Sequence, residues 1–137
     1  AYSFTSAPIA KHLAEAKNRG IIVKVILDKS QKSQSYSASR FLLNQHIPVW
    51  IDYKPAIAHN KIMIVDGKEV ITGSFNFTQA AQYKNAENLL IIQDTTLAKR
   101  YMENWERRKM VSEVLNPNAI LKKHKSNHHQ PVFAFKF

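Results

Sequence analysis

The run "IIVKVILD" at residues 21–28 constrains the fold most, because apolar and β-branched residues fill it almost without a break. Such a run needs cover on both faces, which is typical of a buried strand in a parallel sheet. A helix is predicted ahead of it: Ser6 is a good N-cap, Pro8 lies in the first turn and Gly20 ends the helix. A helix that leads into a buried strand indicates an α/β pattern.

The alternation of strand and helix continues beyond this run. A second helix is predicted at about residues 38–45 and is expected to bury Phe41 and Leu42. Pro48 then opens a short strand, "VWID". Because "AYSFT" at the start of the chain resembles the end of a further strand, the order of elements predicts parallel strands connected by helices.

A hairpin changes the pattern in the middle of the chain. The runs "NKIMIVD" and "KEVITG" are joined at Asp66 and Gly67, which is a strong signal for a tight turn. A short helix at about residues 78–83 and a buried-looking strand at about residues 87–94 follow. The predicted fold is therefore a single α/β domain with a mixed, largely parallel sheet flanked by helices.

The last predicted helix, at about residues 97–115, is the longest, and Thr95 or Thr96 can cap it. The folded domain is expected to cover residues 1–115, followed by a basic tail at residues 116–137. The tail contains no Asp or Glu, so it could be a flexible arm that binds polyanions or a final edge strand. Its histidines lack a cysteine or carboxylate nearby, which argues against a metal site.

Composition narrows the classes of partner. The chain has 137 residues, no cysteine and a formal net charge of +10. The absence of cysteine excludes a disulfide scaffold and a thiol nucleophile, and no apolar run is long enough to span a membrane. The positive charge favours nucleic acid or acidic lipid headgroups as partners, although a charge that serves only solubility would look the same.

Four polar side chains of the hairpin region share a spacing of two. His59 and Lys61 point to one face of their strand, and Ser74 and Asn76 share a face at the end of the next. If the hairpin register lets them meet, they supply a nucleophile or proton carrier, a cation and two hydrogen-bonding groups, which suits a phosphate. Taken singly, each residue has an ordinary structural explanation, and only the joint spacing favours a site.

The full pattern of the hairpin resembles the HKD motif of the phospholipase D superfamily, with every motif residue present: His59, Lys61, Asp66, Gly73, Ser74 and Asn76. The stretches "GSFNFT" and "NAEN" are similar to those of the small bacterial endonucleases with a single motif, the Nuc type. The resemblance covers about residues 1–108, and the tail departs from it. By the same resemblance, a further helix and part of a strand are expected ahead of Ala1.

The resemblance implies a metal-independent phosphodiesterase that needs no cofactor. His59 would attack phosphorus to give a phosphohistidine, and a second histidine would protonate the leaving oxygen. Because one chain carries one motif, the resemblance also implies a homodimer in which His59 of each copy takes one of these roles. Lys61, Ser74 and Asn76 would hold the phosphate.

Three more residues receive roles from the resemblance. Glu87, in "NAEN", would accept a hydrogen bond from the His59 ring and orient it. Asp66 and Gly73 would be structural members of the motif. Location would be periplasmic or secreted in a bacterium, although no signal peptide is visible within the sequence.

A basic loop gives a weaker prediction of contact with nucleic acid. Lys29, Lys32 and Arg40 lie in or just after the segment that follows the run at residues 21–28, with no acidic residue between them. Loops at the carboxyl ends of parallel strands commonly build binding sites. We therefore expect these cations to track a nucleic-acid backbone.

The sequence leaves three functions open. The positive charge, small size and single motif favour a nuclease, with DNA favoured over RNA as its substrate and without stable membrane insertion. A phospholipase or phosphatidyl transferase would use the same hairpin chemistry. The third is a nucleic-acid-binding module without turnover.

Overall fold

The computed structural model describes residues 1–118, and the rest of the predicted tail lies outside the described residues. Its elements, in chain order, are α1 (Ala7–Asn18), β1 (Val25–Asp28), a 3₁₀ helix (Lys29–Lys32), α2 (Ser39–Asn44), β2 (Val49–Asp52), β3 (Ile62–Val65), β4 (Glu69–Gly73), α3 (Gln79–Tyr83), β5 (Leu89–Gln93), α4 (Thr95–Val111) and β6 (Glu113–Val114).

The strands form two three-stranded sheets, with the orders β1-β2-β6 and β3-β4-β5. β1 and β2 pair in parallel, whereas β6 joins β2, β3 joins β4 and β4 joins β5 in the antiparallel sense. The predicted mixed α/β fold flanked by helices is confirmed. Parallel pairing takes a smaller share than expected, because the hairpin and its neighbour β5 make one sheet entirely antiparallel.

The first residues of the chain lie between the two sheets. The carbonyl oxygen of Ala1 accepts a hydrogen bond from the N–H of Asp28 on one side, at 3.0 Å. The N–H of Tyr2 donates to the carbonyl oxygen of Asn60 on the other side, at 2.7 Å. This segment therefore fixes the start of β3 relative to the end of β1.

The core lies under β1 and β2, where both faces of the parallel pair are covered. Its buried apolar members come from several elements and from the first residues of the chain: Phe4, Leu27, Leu42, Ile47, Val49, Ile51, Phe77 and Leu115. α1 packs by its small residues Ala10 and Ala14, which are also buried. The predicted start of α1 is confirmed, because the Ser6 side chain caps it by accepting from the N–H of Ile9.

β1 is shorter than the sequence predicts. It starts at Val25 and not at residue 21, and Ile22 is 83% exposed. A strand extends only as far as a partner can pair with it, and β2 begins after Pro48, which has no N–H to donate. The predicted start of β1 at residue 21 was therefore wrong, because β2 offers no partner ahead of Val49.

Two predictions of burial were also wrong. Phe41 on α2 is 40% exposed, and only Leu42 beside it is fully buried. β5 was expected to be a buried strand, but three of its apolar side chains are about half exposed or more: Leu89, Leu90 and Ile91. Among the described residues, the long helix α4 packs on β2, β3 and β4, and β5 lies at the edge of the sheet beside them.

The bounds of α4 differ from the prediction at both ends. Asp94 caps the helix, its carboxylate accepting from the N–H of Leu97 at 3.0 Å, so neither Thr95 nor Thr96 does. The helix ends at Val111 because the residues that follow pair with β2 as β6. Within the part of the chain that the structure describes, no helix has the length and apolar character needed to cross a membrane.

Candidate active site

The hairpin of β3 and β4 closes at the predicted tight turn. Asp66 has φ +54° and Gly67 has φ +63°, the left-handed values of the two central residues of a type I′ turn, in a loop whose flanking residues Val65 and Glu69 pair. Ile62 pairs with Thr72, so the start of β3 lies beside the end of β4. No hydrogen bond or ion pair of the Asp66 side chain was found within residues 1–118, and the exposed residue serves the turn through its backbone.

His59 and Lys61 are held together just before β3 by an aromatic ring that the sequence pattern did not single out. The imidazole of His59 packs edge-on against the ring of Tyr2, with centroids 4.6 Å apart. The Lys61 ammonium lies 5.2 Å from the centroid of the same ring and donates to the carbonyl oxygen of His59 at 3.2 Å. Lys61 is nearly buried while His59 is exposed, so the cation is fixed beside an accessible imidazole.

Ser74 and Glu87 form a hydrogen-bond network where β4 ends and β5 begins. The Ser74 hydroxyl donates to one oxygen of the Glu87 carboxylate and accepts from the N–H of Asn88 at 2.9 Å. The other carboxylate oxygen accepts from the amide of Asn85 at 3.0 Å. Because the single hydroxyl proton of Ser74 is used by Glu87, it is not free for a phosphate oxygen in this arrangement.

Charges in the site act on one another. Hydrogen bonds from Ser74 and then from Asn85 hold the pKa of Glu87 below its usual value. Burial lowers the pKa of Lys61, and the nearby Glu87 carboxylate opposes that effect. Lys61, Ser74 and Glu87 therefore belong to one electrostatic cluster, as the sequence predicts for the first two.

The predicted hydrogen bond between His59 and Glu87 is not among the contacts within one chain. Glu87 accepts from Ser74 and Asn85, and His59 packs on Tyr2. The role of Glu87 in orienting the imidazole therefore stays a prediction.

Gly73 permits the close approach of β5. A Cβ atom at this position would collide with the carbonyl oxygen of Asn88, which accepts from the N–H of Ser74 at 3.0 Å. Continuing the β3–β4 ladder by one residue would place Lys61 opposite Gly73, with Ser74 turned to the other face. Ser74 is instead positioned by β5, so spacing by twos along the strands does not by itself explain the cluster.

Asn76 is less closely connected to the other motif residues. It lies between Ser74 and Phe77, and its side chain is partly buried. Its Oδ1 atom is buried and has no hydrogen-bond partner within residues 1–118. A buried polar atom without a partner commonly indicates that a ligand or water completes the site.

Asp28 supports the segment that leads to His59, although no motif in the sequence pointed to it. It is buried at the end of β1, and its carboxylate accepts from the N–H of Ala58 at 2.7 Å and from the N–H of Ser30 at 3.0 Å. Burial alone would raise the pKa of Asp28, but these N–H groups outweigh it and leave the pKa below its usual value. A carboxylate at the last position of a buried strand was the available signal.

Two of the cations that are predicted to contact nucleic acid lie close to Asp28 and to the segment ahead of His59. Lys29 donates to the carbonyl oxygen of Pro55 at 3.1 Å, and the ammonium of Lys32 lies 5.5 Å from the centroid of the Tyr53 ring. Arg40 is exposed on α2. Lys29 and Lys32 thus contact the segment ahead of His59, and contact with nucleic acid remains a prediction for all three.

An open groove of about 460 Å³ separates α4 from the ends of β3 and β4. Its lining combines the hairpin residues with one edge of the helix: His59, Asn60, Lys61, Ile62, Thr72, Gly73, Leu97, Arg100, Tyr101 and Asn104. No group of three His, Asp or Glu side chains that could hold a metal ion occurs in the described part of the chain.

Comparison with known sequences connects this geometry to a family. Residues 1–109 match the family described as "Cardiolipin synthase, PLD-like domain". The chain is 49% identical over 109 residues to "Phospholipase D" of Rickettsia felis, and 33% identical over 106 residues to "Mitochondrial cardiolipin hydrolase" of Xenopus tropicalis. These matches take in 80% and 77% of this chain but 54% and 50% of those proteins, so the chain spans about half their length.

Solved structures agree with the sequence comparison. Nuc from Salmonella typhimurium, described as a phospholipase D family member, matches with a TM-score of 0.81 and 39% identity over 85% of this chain and 78% of that chain. NucT from Helicobacter pylori matches with a TM-score of 0.77 and 26% identity over 83% and 78%. The predicted resemblance to the Nuc type is confirmed.

Proposed function

The chain belongs to the phospholipase D-like family, and from that premise we propose that it is a phosphodiesterase that cleaves nucleic acid, with DNA as the favoured substrate. The observation that carries the proposal is the placement of His59 and Lys61 beside one ring at the start of β3, next to the Ser74–Glu87 network. An accessible imidazole beside a fixed cation suits attack on a phosphodiester.

The proposed reaction proceeds in two steps through His59. In the first, an imidazole nitrogen forms a bond to phosphorus while the bond from phosphorus to the leaving oxygen breaks, and a second histidine gives that oxygen a proton. In the second, water replaces the imidazole on phosphorus and returns a proton to the second histidine. The phosphodiester is thereby hydrolysed without an oxidant, a reductant or a metal ion.

The second histidine is proposed to be His59 of another copy of the chain. Within residues 1–118 the remaining histidines are His12, which bonds to Glu15 on α1, and His46, which lies in the turn ahead of β2. Neither is near β3. A two-fold axis beside the site would bring two copies of His59 together and give one composite site per homodimer.

The other site residues receive roles that their contacts allow. Lys61 and the Asn76 amide are proposed to bind the phosphate oxygens. The Ser74 hydroxyl would either join them, as the motif predicts, or keep Glu87 in place through the bond it already makes. Glu87 is proposed to orient an imidazole once the dimer has formed, since its carboxylate is ionised and accessible.

Nucleic acid is preferred over lipid because of charge and because of the solved structures. The net charge of +10 suits a long polyanion, and the Salmonella and Helicobacter structures are both of the Nuc type. The second candidate is a lipid phosphodiesterase, which the names of the Rickettsia and Xenopus relatives favour. Both candidates use the same bond chemistry at His59.

One experiment separates the candidates. The purified protein is incubated in excess EDTA with plasmid DNA, single-stranded DNA, RNA and, separately, vesicles of cardiolipin and phosphatidylcholine, beside the His59→Ala variant. We expect cleavage of nucleic acid that is lost in His59→Ala. Release of headgroups or phosphatidic acid with intact nucleic acid would instead support the lipid enzyme. Retention of DNA without turnover by either protein would support a binding module.

A further inference from the structure

Helix α4 packs on β2, β3 and β4, and two different edges of the helix line two separate grooves. Its carboxyl-terminal half is tied to β2, where Arg108 Nη2 donates to a carboxylate oxygen of Asp52 at 2.6 Å. One edge of α4, which carries Arg100 and Asn104, lines the groove that His59 also lines. The opposite edge, which carries Lys99, faces Gly67 at the hairpin turn.

Arg100 is exposed beside the candidate site. The ion pairs found within residues 1–118 involve other cations. Asn104 follows four residues later on the same helix and is likewise exposed. Residues four apart share one face of a helix, so both side chains border the same groove.

The chemistry of this pair fits a second phosphate. A guanidinium donates in a planar fork that matches two phosphate oxygens, and an asparagine amide adds a neutral donor. A nucleic acid bound with one phosphodiester at His59 has further phosphates on either side along its backbone. His59 and these two donors line the same groove.

We propose that Arg100, assisted by Asn104, binds a phosphodiester of the nucleic-acid backbone that flanks the one cleaved at His59. The inference rests on the proposed function. It assigns to α4 a substrate contact that the HKD motif does not contain, and it places the path of the strand along the groove between α4 and the ends of β3 and β4.

The test compares Arg100→Gln with Lys99→Gln in the full chain of 137 residues. Each variant removes one positive charge from neighbouring positions of α4, but only Arg100 lines the groove beside His59. Cleavage of a single-stranded oligonucleotide and of bis(p-nitrophenyl) phosphate, a small diester with no flanking phosphate, is measured in EDTA. Binding of the oligonucleotide is measured by fluorescence anisotropy between low and high salt, in a His59→Ala background.

We expect Arg100→Gln to lose about tenfold in kcat/KM on the oligonucleotide, several times more than it loses on the small diester, since one charge-assisted contact is removed. The slope of log Kd against log salt should fall by about 0.7 for that one phosphate contact on a single strand. Arg100→Lys should keep the salt slope and recover part of the affinity. Lys99→Gln should leave the ratio of the two substrates as in the wild type.

Three results would overturn the inference. If Arg100→Gln and Lys99→Gln lose the same kcat/KM on the oligonucleotide, Arg100 contributes only general surface charge and the inference is wrong. The proposed function would still stand in that case, provided that the wild type cleaves the oligonucleotide. If Arg100→Gln loses the same kcat/KM on the oligonucleotide and on the small diester, Arg100 acts on the reacting phosphate or on the fold and not on a flanking phosphate. A wild type that leaves every nucleic acid intact would overturn the proposed function and this inference together.

Discussion

At the scale of single residues, the site depends on which group donates each hydrogen bond and which group accepts it. The Ser74 hydroxyl donates its one hydrogen bond to Glu87, and the Ser74 oxygen accepts a hydrogen bond from the N–H of Asn88. The hydrogen bond keeps the Glu87 carboxylate beside Ser74 and holds its pKa below the usual value. The motif serine thus supports a negative charge next to Lys61, in addition to any contact it makes with substrate.

We predict that Ser74→Ala raises the pKa of Glu87 toward its usual value, because the hydroxyl is the main cause of the depression. The measurement is an NMR titration of the Glu87 carboxyl carbon. Asn85→Ala serves as the comparison and should give a smaller upward shift, since Asn85 contributes less. An unchanged titration in Ser74→Ala would contradict the hydrogen bond as the source of the depression.

Asp28 carries the second prediction for single residues. Asp28→Ala leaves the N–H of Ala58 without its acceptor, which should cost about 1–3 kcal/mol in the free energy of unfolding. Because Ala58 precedes His59, kcat should fall as well. Asp28→Asn keeps an oxygen acceptor and should recover most of kcat; if it recovers none, the hydrogen bond to Ala58 is not what positions His59.

The pH dependence of stability follows from the same carboxylate. Its pKa is depressed in the folded state, so its stabilising contribution is complete above its unfolded pKa of about 3.9 and is lost as the pH falls through the lower folded value. Urea unfolding of the wild type should therefore show a loss of stability that begins near the unfolded pKa, at about pH 4, and grows as the pH falls further, and Asp28→Asn should show a smaller one. Equal losses in both proteins would assign the acid sensitivity to other groups.

At the scale of elements, the site is assembled by three strand ends and one glycine. β3 brings His59 and Lys61, β4 brings Ser74, and the start of β5 brings Glu87. Ser74 and Glu87 can contact each other only because residue 73 is glycine, since any larger residue would displace Asn88. The arrangement is therefore a property of the packing of β4 on β5 and not of either strand alone.

We predict that Gly73→Ala destabilises the fold by about 1–3 kcal/mol, as overpacking does, and abolishes most of the activity by displacing Glu87. Gly20→Ala is the matched control: Gly20 also has a positive φ, +92°, but a Cβ there meets nothing within 4 Å. It should lower the melting temperature without changing kcat. Equal loss of kcat in the two variants would argue against the displacement.

Local chemistry was predictable from the sequence, and long-range packing was not. The turn at Asp66 and Gly67 and the cap at Ser6 follow from backbone conformations that neighbouring residues dictate. The start of β1 depends on where its partner β2 begins, and the exposure of β5 depends on where α4 crosses. Tyr2 and Asp28 were missed because no spacing along the chain connects them to His59.

At the scale of the whole molecule, residues 1–118 present half of the proposed catalytic machinery and, beside it, a strand with exposed apolar side chains. β5 follows Glu87 directly and exposes apolar side chains that include Ile91, which is 62% exposed. Exposed apolar strands at a sheet edge are typical of interaction surfaces. A second copy seated near β5 would lie next to the Ser74–Glu87 network.

A mixing experiment tests whether two chains share one site. Equal amounts of wild type and His59→Ala are allowed to exchange subunits, and the nuclease activity is compared with that of an equal total amount of wild type. If every site needs two copies of His59, activity should fall to about a quarter of that of the all-wild-type sample, since only that fraction of dimers pairs two wild-type chains. Independent sites would leave about half.

The residues proposed for the chemistry lie within one continuous stretch of the chain, from His59 to Glu87, while Tyr2, Asp28 and α4 hold that stretch from outside. A copy of the whole domain would therefore carry both the catalytic stretch and the residues that support it. Duplication of the gene in tandem would place two half-sites in one polypeptide, and each copy would bring its own supports. Afterwards the two copies would be free to diverge, so that one histidine could specialise in attack and the other in proton transfer.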